Sequence, residues 1–253
     1  YKRQGIPFWI AFFLGIILTG ILGFIIERTF LRPMVGEPVF SVAVLTIGID
    51  ILLRVVLDNW IGINPKYMGD PFPSFGNFGS LNIGGLTIKY LEVTALITSL
   101  LLIFVLSVFF KKSKYGVAMR ATSLDQEAAL AQGINVGRVF GLVWFIAGLL
   151  AAFAGFFITG GFNTLTNSSF ISALRALPAV VIGGLDSITG AVIGSLIIGL
   201  TQAYVGYYQF DIESAYNIKL GNGFSIVAPY LIMFVILLIK PHGLFGTEEV
   251  ERV

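Results

Sequence analysis

Apolar stretches of about twenty residues recur along this chain, and no other feature limits its fold as strongly. A bilayer core about 30 Å thick takes roughly 20 residues of helix to cross. Backbone that faces lipid must satisfy its own hydrogen bonds, so only helices and closed barrels span. Residues 6–26, 90–110 and 139–159 meet the length criterion, and 39–57 meets it despite Asp50 and Arg54. Residues 188–204 and 224–239 are shorter but uncharged. None of these runs alternates with period two over strand lengths, which argues against an outer-membrane barrel. The expected fold is all-α, a polytopic transmembrane helical bundle forming a single domain over residues 1–253.

One region departs from the simple pattern. Residues 160–169 (GGFNTLTNSS) are polar and glycine-rich, and 170–182 are apolar apart from Arg175, with Pro178 inside and Gly183-Gly184 at the end. This reads as a re-entrant stretch followed by a short or broken helix, a form tolerated at membrane depth only against protein or a wet cavity. Sidedness follows from Lys and Arg in short loops. Segments 27–38, 111–138 and 240–253 carry nine basic residues, and the opposite side carries five. That bias places 111–138 and the C-terminus in the cytoplasm, with about seven passages, one supplied by the broken segment.

Composition removes several function classes. With 56% hydrophobic and 12% charged residues, against about 25% charged in soluble domains, neither a disordered chain nor an ordinary soluble enzyme is expected. A net charge of +2 gives no basic field for nucleic acid. The absence of cysteine and the single histidine, His242, leave no thiolate chemistry and no multi-histidine metal site. The sequence has no P-loop, HExxH or GxSxG pattern, no row of membrane charges and no TVGYG filter. Any uphill movement therefore needs energy from another subunit or from an ion gradient. The chain opens on Tyr1 with no signal peptide before the first apolar run, and reads as a processed or truncated polypeptide.

Two segments lie outside the bilayer in this reading. Residues 58–89 form a long extracytoplasmic loop, with a hairpin expected over 80–88 around Gly84-Gly85, serving either as a surface lid or as a docking surface. Residues 111–138 form a cytoplasmic loop whose centre predicts a helix over Leu124–Gln132. Ser123 and Gln126 stand at capping-box spacing, Asp125 and Glu127 suit the first turn, and Gly133 suits the C′ position. So short a helix needs something to pack on. Its stripe of Leu124, Ala128 and Ala131, with Leu130 nearby, either packs on the chain's own helices or enters a groove of a cytoplasmic partner.

The polar residues inside apolar segments are the remaining candidates. Arg175, costly at membrane depth unless it meets protein, water or a counter-ion, is either a pathway residue or a clamp on backbone carbonyls. Asn163, Thr164, Thr166, Asn167, Ser168 and Ser169 either bind a zwitterionic or amide solute or satisfy one another. Asp50 and Arg54, at i and i+4, pair on one helix face. Small residues at spacing four (Gly190, Gly194; Ala191, Ser195, Gly199; Ala151, Gly155) allow close helix approach. Lys240-Pro241-His242-Gly243 reads as a helix stop with a snorkelling lysine.

Four stretches resemble one family. MRATSLDQEAALAQGINVGRV (119–139) is similar to the coupling region of ABC-importer permeases, with Glu127-Ala128-Ala129 followed by Gly133. IIERTFLRP (25–33), LRALPAVVIGGLDSITGAVIGSLIIGL (174–200) and LLIKPHGLFG (237–246) resemble segments of the branched-chain amino acid permeases, the LivH-like type, and also of the related urea and amide permeases. The resemblance implies a permease subunit without an ATPase site of its own, in a bacterial inner membrane. Its implied partners are a second homologous permease, making a homo- or heterodimer, two ATP-binding subunits that carry ATP and Mg, and an external solute-binding protein. It assigns ATPase coupling to Ser123, Asp125, Glu127, Ala128, Ala129 and Gly133, and further apolar helices with an NFAHG-like stretch upstream. Asp186 stands where the family usually has Gly, and the Asp50/Arg54 pair lies in a helix usually uncharged there. The competing class is a self-contained secondary transporter or channel, which explains the intramembrane charges but not the short capped helix.

Overall fold

The computed structural model describes residues 7–35, 37–62, 64–69, 80–83, 86–165, 174, 176–217, 219, 221 and 223–246. The chain divides into two compact units, residues 1–167 and 168–253.

In the first unit, helix α1 (Phe8–Ile26) runs into a π-helical turn (Glu27–Leu31) and a 3-10 turn (Arg32–Met34). Helices α2 (Val39–Ile61) and α3 (Tyr90–Lys112) follow, separated by strands β1 (Lys66–Gly69), β2 (Ser80–Ile83) and β3 (Leu86–Lys89). Two short helices, α4 (Lys114–Leu124) and α5 (Gln126–Ala131), lead to α6 (Val136–Thr159) and strand β4 (Gly161–Leu165). The main helix pair is α1 with α6, packed antiparallel at glycines. A Cβ at Gly23 would come 2.5 Å from the Trp144 carbonyl oxygen, and one at Gly148 2.5 Å from that of Thr19. Small residues let the two backbones touch, as van der Waals contact drives helix association in lipid.

Helices α2 and α3 show the opposite character. α3 has no buried residue, and among the described side chains of α2 only Ile49 is buried. Their apolar surfaces suit lipid tails or a neighbouring subunit.

The second unit contains α7 (Ala176–Gly183), α8 (Ile188–Tyr216) and α9 (Phe224–Ile239). Its core is Ala179, Ile182 and Ile198, with Ile232, Met233 and Ile236 packed around them. The turn after α9 folds back on the end of α7. Leu244 N–H donates to the Ile182 carbonyl at 2.7 Å and Phe245 N–H to that of Gly183 at 3.1 Å. Those carbonyls belong to the last turn of α7, where no intrahelical donor remains. The GG and PHGLFG stretches are therefore two halves of one contact.

Among the described residues five helices are long and apolar enough to cross a membrane, lying within Phe8–Met34, Phe40–Trp60, Tyr90–Lys112, Val136–Thr159 and Ile188–Tyr216. The chain is a multi-pass membrane protein of helical class, as expected. Helix α9, at 16 residues, is shorter, and α7 is described over 8 residues.

Two expectations need correction, and a third gains detail. Within the 160–169 stretch, residues 161–165 form a strand. Strand β4 pairs antiparallel with β1, matching Lys66 with Leu165 and Tyr67 with Thr164. Polar backbone just past the end of α6 finds its hydrogen-bond partners in that distant segment. The short helix expected over Leu124–Gln132 begins at Gln126, because Asp125 adopts an extended conformation (φ −159°, ψ 112°) and separates it from α4. The fifth apolar run continues as helix to Tyr216, twelve residues past the expected end at Tyr204. Buried Gln209 holds that extension, its amide donating to Glu213 Oε1 at 2.9 Å and to the Gly221 carbonyl at 2.6 Å. The 80–88 hairpin forms as read, with Ser80 opposite Lys89 and Ile83 opposite Leu86.

Candidate functional site

At one end of the first unit, the end of α1, the start of α2, the α4–α5 segment and the start of α6 come together. This end gathers the basic segments 27–38 and 111–138.

Its centre is an ion pair. Arg32 Nε donates to Glu27 Oε1 at 3.1 Å and Arg32 Nη2 to Glu27 Oε2 at 2.9 Å, while Nη2 also donates to the Gly137 carbonyl at 2.7 Å. The Glu27 side chain is 2% exposed and that of Arg32 37%. In an α-helix, residues five apart point about 140° away from each other. Here the backbone N–H of Arg32 bonds the Glu27 carbonyl, an i to i+5 closure, and the wider π turn brings both side chains to one side. Gly137 and Gly141 leave the room. A Cβ at 137 would lie 3.4 Å from Arg32 Cζ, and one at 141 would lie 3.2 Å from Glu27 Oε2. Within ERTFLRP the five-residue spacing of Glu27 and Arg32 conceals the pair from sequence, since such residues do not face each other on an ordinary helix.

The α4–α5 segment is locally determined. Ser113 caps α4 by accepting from Gly116 N–H at 2.9 Å, and Arg120 Nη1 donates to the Phe110 carbonyl. Asp125 caps α5 by accepting from Ala128 N–H at 2.9 Å. Ser123, expected to cap, instead donates to the Arg120 carbonyl at 2.9 Å, because it lies inside α4, where a hydroxyl finds the preceding turn. At the other end Gly133 takes φ +80°, with its N–H on Leu130 O and Ile134 N–H on Ala129 O. Those two bonds form a Schellman motif.

The faces of α5 separate cleanly. Ala129 points inward, 3% exposed, while Glu127, Ala128 and Ala131 are exposed. Leu124 is 88% and Leu130 57% exposed. The stripe read from sequence thus lies outward, and Ala129 alone among the assigned residues is not available at the surface. Asp125→Ala removes the cap, so α5 is expected to lose about 1 kcal/mol. Faster backbone amide exchange over 126–133, with α6 unchanged, is the measurement that checks it.

Asp50 and Arg54 pair as expected, Nε to Oδ2 at 2.8 Å and Nη2 to Oδ1 at 3.2 Å. The pair is partly exposed, 54% for Asp50 and 27% for Arg54. Asn163 and Thr164 lie on β4, away from the Glu27–Arg32 end of α6. Arg175, Thr166, Asn167, Ser168 and Ser169 lie outside the described residues. Among the described residues no cluster of acidic or histidine side chains is placed to hold a metal ion.

Residues 1–239 match the family described as branched-chain amino acid transport system, permease component. The chain is 28% identical over 244 residues to the high-affinity branched-chain amino acid transport system permease protein BraD of Pseudomonas aeruginosa, covering 96% of this chain and 76% of that protein. It is 31% identical over 250 residues to the corresponding protein LivH of Salmonella typhimurium, with the same 96% and 76% coverage. A more distant likeness, 28% over 173 residues, links it to the galactose/methyl galactoside import permease protein MglC of Escherichia coli, covering 62% of this chain and 49% of that one. No solved structure matches significantly.

Proposed function

The chain belongs to the branched-chain amino acid transport permease family and is a membrane permease subunit of an ABC importer; from that premise we propose that it forms half of a pathway for branched-chain amino acids and takes its power from ATPases seated on α5. The family works with ATPase and binding-protein components. In our reading those are two ATP-binding subunits carrying ATP and Mg, one external solute-binding protein and a second permease, identical or homologous. The chain itself hydrolyses no ATP. It sits in the bacterial inner membrane with the α4–α5 end and the C-terminus in the cytoplasm. Arg175 and the polar series Asn163, Thr164, Thr166, Asn167 and Ser168 are the candidates for contact with the solute.

The observation that carries the coupling role is the outward apolar stripe of the α4–α5 segment. Leu124 and Leu130 are large, exposed and flanked by Arg120, Asp125, Gln126 and Glu127, so water rather than lipid covers them in the isolated subunit. Apolar side chains held that way by two caps fit a groove on a soluble partner. Ala129 serves the segment from inside, and Gly133 turns the chain back toward α6. Gly133→Glu or Ala129→Arg therefore disturbs the spur itself, and outward-facing substitutions test the contact more directly.

Leu130→Asp is expected to leave membrane insertion and thermal stability unchanged while weakening ATPase association. Each leucine buried at an interface contributes about 1.5–3 kcal/mol, roughly 10- to 100-fold in affinity. Co-purification of the ATPases and ATP-driven leucine uptake in proteoliposomes are the readouts. A Leu130→Asp complex with parental association and uptake contradicts the docking role. Uphill uptake by the permease in the absence of any ATPase would overturn the whole reading in favour of a secondary transporter.

A further inference from the structure

We propose that the crevice beside the Glu27–Arg32 pair is a second amino-acid site, on the α5 end of the permease, which takes the free apolar amino acid as a zwitterion and restrains α5 when occupied. The proposal rests on the transport reading for the identity of the ligand.

The crevice has a volume of about 310 Å³, at the lower end of the roughly 300–1,000 Å³ range of small-molecule sites. It lies wholly within the first unit. Its walls are apolar, with Leu31, Val42, Phe140 and Trp144 among them, and its polar groups are few. The buried Glu27 carboxylate lines it but is already neutralised by Arg32. Glu37, exposed at the rim, has no cation within ion-pair distance among the described residues. Gln126, the first residue of α5, also lines it.

That set selects a ligand class. Among the described residues no Lys or Arg lines the crevice, so nothing there favours a phosphate group, free or on a lipid. A carboxylate at the rim with aromatic walls favours an ammonium group, and the apolar walls favour an aliphatic side chain. The Gln126 amide supplies N–H donors for a carboxylate. An aliphatic amino acid presents all three groups on one small molecule. Bound there, it links the first residue of α5 to α2 and α6. An accumulated product would then hold the coupling segment still and slow further uptake.

The test uses the permease reconstituted with its ATPases in nanodiscs, without the external binding protein. Equilibrium binding of radiolabelled leucine is measured beside isoamylamine, which has the same side chain and ammonium group but no carboxylate. Saturable leucine binding is expected, tighter than that of isoamylamine. Val42→Trp fills the crevice and Glu37→Gln removes the rim charge, and each is expected to weaken leucine binding at least tenfold. In proteoliposomes, leucine on the ATPase side should slow uptake several-fold for the parental complex and not for Val42→Trp. Absence of saturable binding, binding by the two variants equal to that of the parental complex, or preference for isoamylamine overturns the proposal. So does a phospholipid that co-purifies in the crevice and is released by Val42→Trp. Parental leucine uptake through the binding protein is measured alongside. Its failure counts against the transport reading, whereas intact uptake with no crevice binding counts against this site alone.

Discussion

Gly194→Ala is expected to destabilise the permease strongly, while Gly199→Ala, five residues further along the same helix, is tolerated or stabilising. The two substitutions add the same methyl group to α8. At Gly194 the added carbon would fall far inside van der Waals contact distance of the Ala179 carbonyl oxygen and 3.0 Å from the Gly183 amide nitrogen. At Gly199 it meets nothing within 4 Å. The clash is with backbone, so no side chain can rotate away, and α7 and α8 must separate. Separation opens the core of Ala179, Ile182 and Ile198 and pulls Gly183 from the turn that carries Phe245. Overpacking costs about 1–3 kcal/mol where side chains can adjust, and a backbone contact lies at or above the top of that range. Thermal unfolding in detergent, followed by size-exclusion fluorescence, reads the effect as roughly 2–4 °C per kcal/mol. Gly199→Ala should gain up to about 1 kcal/mol from helix propensity. Equal midpoints for the two variants would show that the close approach of α7 and α8 does not support the unit.

Arg32→Ala should cost more than Glu27→Ala, although both break the same pair. Removing the arginine leaves the Glu27 carboxylate 2% exposed with no guanidinium, and also frees the Gly137 carbonyl. Removing the glutamate leaves an arginine already 37% exposed, which turns to water. Breaking a buried pair from one side costs about 3–5 kcal/mol when both groups are sealed from solvent. The partial exposure of Arg32 lowers that figure here. A Glu27→Leu/Arg32→Met double variant should recover most of the loss, since apolar groups of similar size leave no stranded charge. Thermal midpoints of the three variants give the ordering, and two single variants of equal stability would contradict it. ATP-driven uptake should also fall in the double variant if the pair transmits movement from the α4–α5 end into α1.

Features held by near neighbours in the chain are the ones that reading residues in order recovers. The apolar runs located the long helices, because a lipid environment leaves uncharged segments of that length few alternatives. The Asp50–Arg54 pair, the Gly133 cap and the 80–88 hairpin were legible for a related reason. Each closes between residues at most nine apart, and local geometry suffices. The misplacement of the α5 cap from Asp125 to Ser123 came from two competing oxygens two residues apart. The extended backbone at Asp125 decided between them.

What the order of residues could not supply is contact across long separations. Arg32 reaches the carbonyl of Gly137, 105 residues on. Strand β4 pairs with β1 across most of the first unit, a strand that the polar composition of 160–169 did not announce. The turn at 243–246 completes the end of α7. Length and apolarity determined that this chain crosses a membrane and where its long spans run. Tertiary structure decided which glycines bear on backbone, which carboxylate is sealed, and which face of α5 is left for a partner. Those outcomes depend on groups that meet only after the helices have packed, so neither composition nor periodicity encodes them.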